Sequence, residues 1–401
     1  MKWTKKPLSE VADFFLGKML DEKKNRGQLL PYLANVNVRW GEFDLSDLRQ
    51  MRFEDHEADR YGLKCFDILM CEGGEPGRCA IWKEAMPGMM FQKALHRIRP
   101  YDCLEHRFLF YSFLQMGRLG TFTALLTGST IKHLPKEKLA KVEIQFPALE
   151  IQRRIADVLS AYDDLIENNR RRMALLEESA RLLYREWFVR LRFPGHEHAR
   201  MVDGIPEGWE RKPLAESCQS IDYGYTASAE EEDVGPRFLR ITDIVPDFID
   251  WSTVPHCQIE EDRFERFRLL EGDIVIARTG ATVGYAKRIN KRQPAAVFAS
   301  YLVRLRLKAD VDSLMVGVFV ESEDYKKYVQ SRVGGAAQPN ANAKVLSAVE
   351  ILVPTTRIQR EFREIVEPLF DQRETLQEQN QKLKAARDLL LPRLMNGEVT
   401  A

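Results

Sequence analysis

The side chains best suited to chemistry in this sequence are polar and basic residues in the predicted loops of its two halves. Arginine presents paired donors that match guanine O6 and N7, whereas asparagine and glutamine match adenine N6 and N7. Lysine and arginine also bind phosphate oxygens, which positions a protein on a duplex without reading its sequence. The candidates are Asn35, Asn37, Arg39, Trp40, Arg78, Lys132 and His133 in the first half, and Arg240, Thr242, Asp243, Arg278, Thr279, Lys287, Arg288, Gln338, Asn340 and Asn342 in the second. Each one alone is better explained as a solvated loop residue, so only the set predicts a nucleic-acid interface.

The sequence contains none of the short motifs that would place catalysis on this chain. Gly17-Lys18 is followed by Met19 rather than Ser or Thr, so no phosphate-binding GxxxxGK[ST] loop is present. The HExxH and GxSxG motifs are absent, and no Pro-Pro pair occurs, which excludes the Pro-Pro-aromatic motif of amino-methyltransferases. The six cysteines form no CxxC pair and are expected to be reduced thiols. We therefore expect a chain that holds no metal or cofactor and catalyses nothing on its own.

Length and composition predict a folded protein of about two to three domains. The 401 residues are 44% hydrophobic and 30% charged, which is enough to build real cores. The 60 basic and 60 acidic residues give zero net charge, which argues mildly against nucleic acid because such domains are usually basic. No apolar run is long enough to span a membrane and no secretory segment is visible, so we expect a cytoplasmic protein without a membrane partner.

The sequence contains an internal repeat. Residues 3–8 recur as residues 209–214, residues 66–70 as 272–276, and residues 144–147 as 351–354, in the same order and at a nearly constant offset. Such a series indicates two copies of one unit. Each copy is predicted to be an α+β block followed by a long helix. Within the blocks we predict strands at 67–70, 273–277 and 297–307, and helices at 104–116 and 314–329.

Apolar or seam residues follow each block at alternating steps of three and four, which is typical of one face of a long helix. In the first helix they are Ile151, Ile155, Val158, Tyr162, Leu165, Asn169, Met173, Leu176, Ala180, Leu183 and Trp187. The second helix has heptad-like spacing at Ile358, Phe362, Ile365, Leu369, Gln372, Leu376, Gln379 or Asn380, Leu383, Ala386, Leu390 and Leu394. The two helices are predicted to pair antiparallel. Asn169 and Asn380 either point to solvent or meet and fix the register, as a buried Asn does in coiled coils.

The predicted organisation is therefore a pseudo-two-fold repeat of two similar globular domains joined by two long antiparallel helices. The boundaries are a first domain at 1–147, a central long helix at 148–193, a linker at 194–206, a second domain at 207–354 and a C-terminal long helix at 355–401.

Several segments resemble the specificity (S) subunits of type I restriction–modification systems, over essentially the whole chain. The most specific are Trp187-Phe188-Val189 followed by Phe193-Pro194-Gly195, and Leu391-Pro392-Arg393-Leu394-Met395-Asn396-Gly397. The start of the second block, DGIPEGWERKPL, and Ala337-Gln338-Pro339-Asn340 are also similar. Block one has Gly128-Ser129-Thr130-Ile131-Lys132-His133 where block two has this last motif, so the two halves are expected to read different sequences.

The resemblance implies two target-recognition domains, each reading one part of a bipartite site on double-stranded DNA. The paired helices would act as a ruler and as the docking surface for two methylation (M) subunits, with restriction (R) subunits joining the full complex. Adenine methylation with S-adenosylmethionine and cleavage driven by ATP and Mg²⁺ would belong to those partners. Arg181, Arg185, Trp187 and Phe188 form an aromatic and arginine cluster that suits a docking interface. Ordinary packing onto the second block is an equal alternative for that cluster.

Two other classes of function remain open. A coiled-coil adaptor joining two protein-binding domains would have the same architecture, and DNA binding by the purified assembly would separate it from a specificity subunit. A stand-alone DNA-modifying enzyme would need a cofactor or metal motif that the sequence does not contain.

Overall fold

The computed structural model describes residues 3–21, 25–83, 85–333 and 340–399. The chain forms two compact units, unit 1 from Met1–Asn169 and Glu378–Ala401, and unit 2 from Arg170–Gln377. Both divisions fall inside the two long helices, Leu149–Tyr184 and Thr356–Met395. Each unit therefore contains one block together with a part of each long helix.

Unit 1 is built around a four-stranded antiparallel sheet. Its strands lie in the order Ala12–Leu16, Leu95–Pro100, Ile68–Cys71 and Cys79–Ile81. The strand Ile68–Cys71 is buried at all four positions, which is why it lacks the alternating pattern of a half-exposed strand. Gln28–Leu33 pairs antiparallel with Arg49–Phe53 and parallel with Met90–Phe91, and Thr4–Pro7 pairs antiparallel with Glu143–Phe146. The helices of the block are Leu8–Val11, Ala58–Tyr61, His106–Arg118 and Lys136–Leu139, with short 3-10 turns at Asn35–Asn37, Asp55–Glu57 and Thr123–Leu125.

Unit 2 repeats the four-stranded sheet of unit 1, but among its described residues it has no counterpart of the strand Arg49–Phe53. Its four-stranded sheet has the order Cys218–Tyr223, Leu302–Leu307, Ile274–Ala277 and Ala286–Arg288. Arg237–Leu239 pairs parallel with Ala296–Phe298, Glu210–Pro213 pairs antiparallel with Glu350–Val353, and Met201–Val202 pairs with Ile205–Pro206. The helices are Ile241–Ile244, Glu261–Phe267, Ser313–Val320, Glu323–Arg332 and Ala343–Ser347, with 3-10 turns at His196–His198 and Leu214–Ser217.

Two predicted elements of unit 2 are each divided in the structure. Residues 297–307 were expected to form one strand, but Ala296–Phe298 and Leu302–Leu307 belong to different sheets. Residues 314–329 were expected to form one helix, but Ser322 interrupts it and its hydroxyl accepts a hydrogen bond from Tyr325 N at 3.3 Å. A local hydroxyl acceptor starts a new helix at that point, which hydrophobic spacing alone does not show.

The start of each long helix is fixed by a buried glutamine. In unit 1, Gln152 Oε1 accepts from Glu105 N at 2.8 Å, and its Nε2 donates to Pro147 O at 2.9 Å. In unit 2, Gln359 Oε1 accepts from Asp312 N at 2.7 Å, and its Nε2 donates to Pro354 O at 2.8 Å. Buried amides that satisfy backbone groups at matched positions show that the repeat extends to individual hydrogen bonds.

A tryptophan packs beside the end of a long helix in each unit. In unit 1 Trp3 lies so close to Gly397 that a Cβ on this glycine would come within 3.0 Å of Trp3 Nε1. In unit 2 the ring of Trp209, the counterpart of Trp3, lies 4.7 Å from the ring of Phe193. Trp3 and Trp209 thus both lie near the end of a long helix, although the residues they contact are not equivalent in the repeat.

The long helices run antiparallel within each unit. In unit 1 Asp163 of the first helix pairs with Arg387 of the second, and further along the first helix Asn169 contacts Asn380. In unit 2 Glu177 pairs with Arg373 at 3.2 Å. No helix in the described part of the chain has the length and apolarity needed to cross a membrane.

The first long helix was predicted to extend to residue 193, but its regular α-helical part ends earlier and is followed by a π-turn. Regular α-helix stops at Tyr184, and Arg185–Val189 form the π-turn. π-turns are rare and re-aim the side chains that follow them. Here the turn coincides with the burial of Trp187 and Phe188 in the core of unit 2.

The predicted stripes of the long helices are corrected at three apolar positions, and the polar seam residue Gln372 is exposed as well. Val158, Leu165 and Ile365 were predicted to lie in the seam, but they are 37%, 45% and 48% exposed. Their following neighbours Leu159, Ile166 and Val366 are buried instead. Each position is an apolar pair in which both residues fit a helical stripe, so the sequence pattern could not choose between them.

Candidate nucleic-acid interface

Two of the candidate readers cap loops rather than face solvent. Asn37 is buried, its Oδ1 accepts from Ala34 N at 3.0 Å, and its Nδ2 donates to two backbone oxygens at 3.0 Å. Asp243 occupies the equivalent place in unit 2, where its carboxylate accepts from Arg240 N at 2.8 Å and binds the Arg240 guanidinium. We therefore remove Asn37 from the predicted base-reading surface and assign it, like Asp243, to the folding of the loop.

Arg78 is also held inside unit 1. Its side chain is buried, Nη2 donates to Asn35 O at 2.9 Å, and Nη1 pairs with Glu75 at 2.9 Å. Asn35 in turn donates from Nδ2 to Gly73 O at 3.3 Å and is half-buried. These bonds make Arg78 and Asn35 supports for the loop that follows the strand Ile68–Cys71.

The other candidates in unit 1 remain at the surface. Arg39 lies 3.6 Å from Asp44, while Trp40 is 45% exposed. Lys132 is exposed, and His133 beside it is half-exposed with Nδ1 3.3 Å from Glu72. Their role in binding a duplex stays a prediction.

Lys287 and Arg288 in unit 2 both contact the carboxylate of Glu321. Lys287 Nζ lies 3.4 Å from Glu321 and donates to Asp247 O at 2.9 Å, while Arg288 N donates to Glu321 Oε1 at 2.9 Å. Burial lowers the pKa of the Arg288 guanidinium below its usual value. The Lys287 side chain thus pairs with Glu321, whereas Arg288 contacts the same carboxylate through its backbone N–H. We assign both residues to the folding of unit 2 rather than to a DNA surface.

The remaining candidates of unit 2 fall into two groups. Asn342 caps the helix Ala343–Ser347, since its Oδ1 accepts from Val345 N at 2.9 Å. Thr242 is exposed, and Gln338 lies outside the described residues. Arg278, Thr279 and Asn340 come together, with Arg278 Nη2 3.4 Å from Asn340 Oδ1 and a backbone bridge between Thr279 and Asn340.

Sequence reasoning missed two tyrosines beside this cluster. The Arg278 guanidinium lies over the ring of Tyr223 at 4.8 Å, and Arg278 N donates to Tyr301 O at 3.0 Å. Tyr223 and Tyr301 are 43% and 61% exposed. Tyrosine and arginine are enriched at binding surfaces, and this enrichment was the signal that could have pointed to Tyr223 and Tyr301.

The prediction that Trp187 and Phe188 dock a partner is corrected, because both side chains are buried. Trp187 and Phe188 are each 5% exposed, and their rings lie 5.7 Å and 4.9 Å from the ring of Phe362. They hold the end of the first long helix in the core of unit 2, which is the alternative that the sequence left open. Arg181 pairs with Glu177 beside this core, and Arg185 is exposed.

Apolar side chains are exposed on the long helices at positions that the repeat makes equivalent. Val158 of the first helix corresponds to Ile365 of the second, and Leu182 corresponds to Leu389. Leu182 and Leu389 are 46% and 72% exposed. Each unit displays two of these four residues, Val158 and Leu389 in unit 1 and Leu182 and Ile365 in unit 2.

The two helix asparagines meet inside unit 1. Asn169 and Asn380 are 2% and 7% exposed, and Asn169 Nδ2 donates to Asn380 Oδ1 at 2.9 Å. Asn380 Nδ2 lies 3.4 Å from Ile166 O. Whether this contact fixes the helix register stays a prediction.

Replacing one of these asparagines is expected to destabilise unit 1, because the other buried amide would lose its partner. Asn169→Leu should cost about 1–3 kcal/mol of unfolding free energy. The double variant Asn169→Leu/Asn380→Leu should melt at or above the wild-type temperature, because no unsatisfied amide remains. Thermal unfolding of both variants tests this, and equal melting of the single and double variants would contradict it.

The described residues contain no group of three or more His, Cys, Asp or Glu side chains arranged to hold a metal ion. Four of the six cysteines, Cys71, Cys79, Cys218 and Cys257, are buried. Burial raises the pKa of Cys71 to about 11 and that of Cys218 to about 12, so these thiols stay protonated at neutral pH.

Comparison with known proteins identifies the family. A family model described as "Type I restriction modification DNA specificity domain" matches residues 1–178 and 206–385. The chain belongs to this family. The two matched stretches correspond to the two copies of the repeat.

The chain aligns with related specificity subunits over about nine-tenths of their length or more. The type I restriction enzyme MjaIX specificity subunit of Methanocaldococcus jannaschii is 26% identical over 416 residues, covering 99% of this chain and 93% of the relative. The EcoKI specificity subunit of Escherichia coli is 21% identical over 427 residues, covering 100% and 89%. The crystal structure of the type I restriction–modification S subunit from M. genitalium superposes with a TM-score of 0.59 at 17% identity, covering 98% and 96%. That likeness shows the shared fold.

Proposed function

We propose that this chain is the DNA-reading subunit of a type I restriction–modification complex, in which each unit reads one half of a bipartite duplex site. One observation carries the proposal: the two units repeat their strand order and internal hydrogen bonds while their surface loops differ. A shared frame with different loop side chains is what two readers of different half-sites require.

The long helices are proposed to set the interval between the half-sites. Each helix contributes residues to both units, so its length enters any distance between the two readers. The Asn169–Asn380 contact would keep that length constant by opposing slippage of one helix along the other.

The repeat-related apolar residues are the proposed docking points for two methylation subunits, one on each unit. Exposed apolar side chains at matched positions suit two copies of the same partner, because each copy meets an equivalent surface. S-adenosylmethionine, ATP and Mg²⁺ would be bound by the methylation and restriction subunits.

Methylome sequencing of a host that expresses this chain with its methylation subunit tests the proposed function. Adenine methylation is expected within a motif of two defined half-sites separated by a fixed undefined gap. A coiled-coil adaptor would instead give no methylated motif and no binding of duplex DNA by the purified assembly. A stand-alone enzyme would methylate or cut DNA without any partner.

Changing the docking residues is expected to remove one methylation subunit at a time. Leu182→Asp should disrupt docking on unit 2, and Leu389→Asp should disrupt the equivalent surface on unit 1, because a charge replaces a buried apolar contact. Native mass spectrometry should then show one methylation subunit bound instead of two. Leu175→Asp is the matched control. Leu175 is also an exposed leucine of the first helix, but its equivalent in the second helix is Lys382, so it is not one of the repeat-related apolar residues. Loss of both subunits from every variant, or from none, would contradict the docking scheme.

A further inference from the structure

The loop after the central buried strand of unit 1 is held by a set of backbone bonds. Glu72 N donates to Ala94 O at 2.9 Å, and Leu134 N donates to Glu72 O at 2.8 Å. A backbone bridge joins Gly73 to His133. These bonds place the side chains of Glu72 and His133 next to each other, with Glu72 Oε1 3.3 Å from His133 Nδ1.

The corresponding loop of unit 2 has the same bonds on equivalent residues. Arg278 N donates to Tyr301 O at 3.0 Å, and Ala341 N donates to Arg278 O at 2.8 Å. A bridge joins Thr279 to Asn340, as Gly73 joins His133. The backbone is thus repeated, whereas the side chains are not: an acid and a histidine in unit 1 become an arginine and an asparagine in unit 2.

The arginine of this pair is oriented but not neutralised. Its guanidinium lies over the ring of Tyr223 at 4.8 Å, and that ring is fixed because Tyr223 Oη accepts from Ala343 N at 3.0 Å. Among the described residues no carboxylate lies within ion-pair distance of Arg278, and the sequence of residues 334–339 contains no Asp or Glu. By contrast, Arg304 and Arg306 pair with carboxylates at 2.7 Å and 2.8 Å.

Arg278 therefore keeps hydrogen-bond donors for a ligand. The contacts of its terminal amino groups, Nη2 to Asn340 Oδ1 at 3.4 Å and Nη1 to Ser300 O at 3.5 Å, are long, so a ligand could replace them. A guanidinium that is held by an aromatic ring and carries unspent donors is suited to paired hydrogen bonds with a planar acceptor. In DNA that acceptor is the O6 and N7 edge of guanine.

The carboxylate at the equivalent place in unit 1 has the opposite requirement. Glu72 would be repelled by phosphates, so near a duplex it is favourable only where it accepts a hydrogen bond from a base. The exocyclic amino groups of cytosine and adenine are the donors that the major groove offers. His133 is half-exposed beside Glu72, with its Nδ1 3.3 Å from Glu72 Oε1.

We infer that Arg278 with Asn340, and Glu72 with His133, are matched specificity-determining pairs that each select one base of a half-site. Arg278 selects guanine in the half-site read by unit 2. Glu72 selects a base with a major-groove amino group in the half-site read by unit 1. This inference rests on the proposed function and adds to it the residues and the chemical class of the bases.

Methylation rates of the assembled complex on a panel of duplexes test the inference. The panel carries each of the four bases at every position of both half-sites. Arg278→Ala is expected to reduce discrimination at one position of one half-site by roughly 5- to 150-fold and to leave the other half-site unchanged. Glu72→Ala should do the same in the other half-site only, because it removes the hydrogen-bond acceptor. Arg263→Ala is the control, because Arg263 is an exposed arginine of unit 2 that lies 3.6 Å from Glu260, away from this loop.

Arg278→Lys separates base reading from phosphate binding. Lysine keeps the charge but not the paired donors, so it should relax the same position as alanine does. The inference is overturned if discrimination is unchanged at every position. It is also overturned if Arg278→Ala slows methylation equally for all four bases and lysine restores the rate. If the wild-type complex methylates no bipartite sequence, the proposed function itself fails, which the panel shows before any variant is compared.

Discussion

Removing one heptad from each long helix is expected to shorten the gap of the methylated motif while leaving both half-sites unchanged. Deleting residues 170–176 from the first helix and 373–379 from the second removes about 10 Å at a rise of about 1.5 Å per residue. At about 3.4 Å per base pair this corresponds to a gap about three base pairs shorter. Seven residues are chosen because one heptad preserves the apolar stripe.

Methylation of the original site should fall at least about 100-fold in this variant, since one half-site would be out of reach of its reader. Methylome sequencing measures both the half-sites and the gap. Deleting four residues from the first helix alone is the control, because it breaks the pairing of the helices without a matched change in the second. Altered half-sites with an unaltered gap would show that the helices do not set the interval.

Phe188→Ala is expected to destabilise unit 2 by about 3–5 kcal/mol, the usual cost of removing a buried aromatic side chain. The ring of Phe188 lies 4.9 Å from that of Phe362 and 6.0 Å from that of Trp209, all within one core. The melting temperature of unit 2 should fall by roughly 6–20 °C. Calorimetry of the isolated full chain measures this directly.

Val189→Ala provides the matched control, because Val189 is the next residue and is 66% exposed. It should change the melting temperature little. If Phe188→Ala melted like the wild type and only weakened partner binding, Phe188 would belong to a docking surface, as the sequence first suggested.

The architecture could be predicted from the sequence because short motifs of the first block recur in the second block. Residues 66–70 and 272–276 match, and the structure places a buried strand at each, Ile68–Cys71 and Ile274–Ala277. Two matched blocks with two long apolar stripes leave few alternatives. The exact facing of the helices was not predictable, because Val158-Leu159 and Ile365-Val366 each offer two apolar residues to one seam position.

The candidate site was harder to predict because the same residue types stabilise loops at some positions and bind ligands at others. Asn37 and Asp243 looked like readers, yet short polar side chains also cap turns, and both do so here. Glu72 is not among the predicted readers, although the repeat places it at the position of Arg278. The repeat held a better criterion: a polar position of the same kind in both copies supports the frame, whereas a position that differs between copies can carry specificity.

Trp3 contacts Gly397 in unit 1, whereas its repeat counterpart Trp209 packs beside Phe193 in unit 2. Residues near the two ends of the chain meet in unit 1 where a continuous linker runs in unit 2. A chain opened within residues 196–204 and joined by a short peptide between residues 399 and 3 is expected to keep the cores of both units, and to lose only local contacts such as the pairing of Met201–Val202 with Ile205–Pro206. If each unit reads one half-site as proposed, the order of the two readers along the polypeptide would be interchangeable, and new pairs of half-sites could arise by exchanging whole blocks rather than by rebuilding either one.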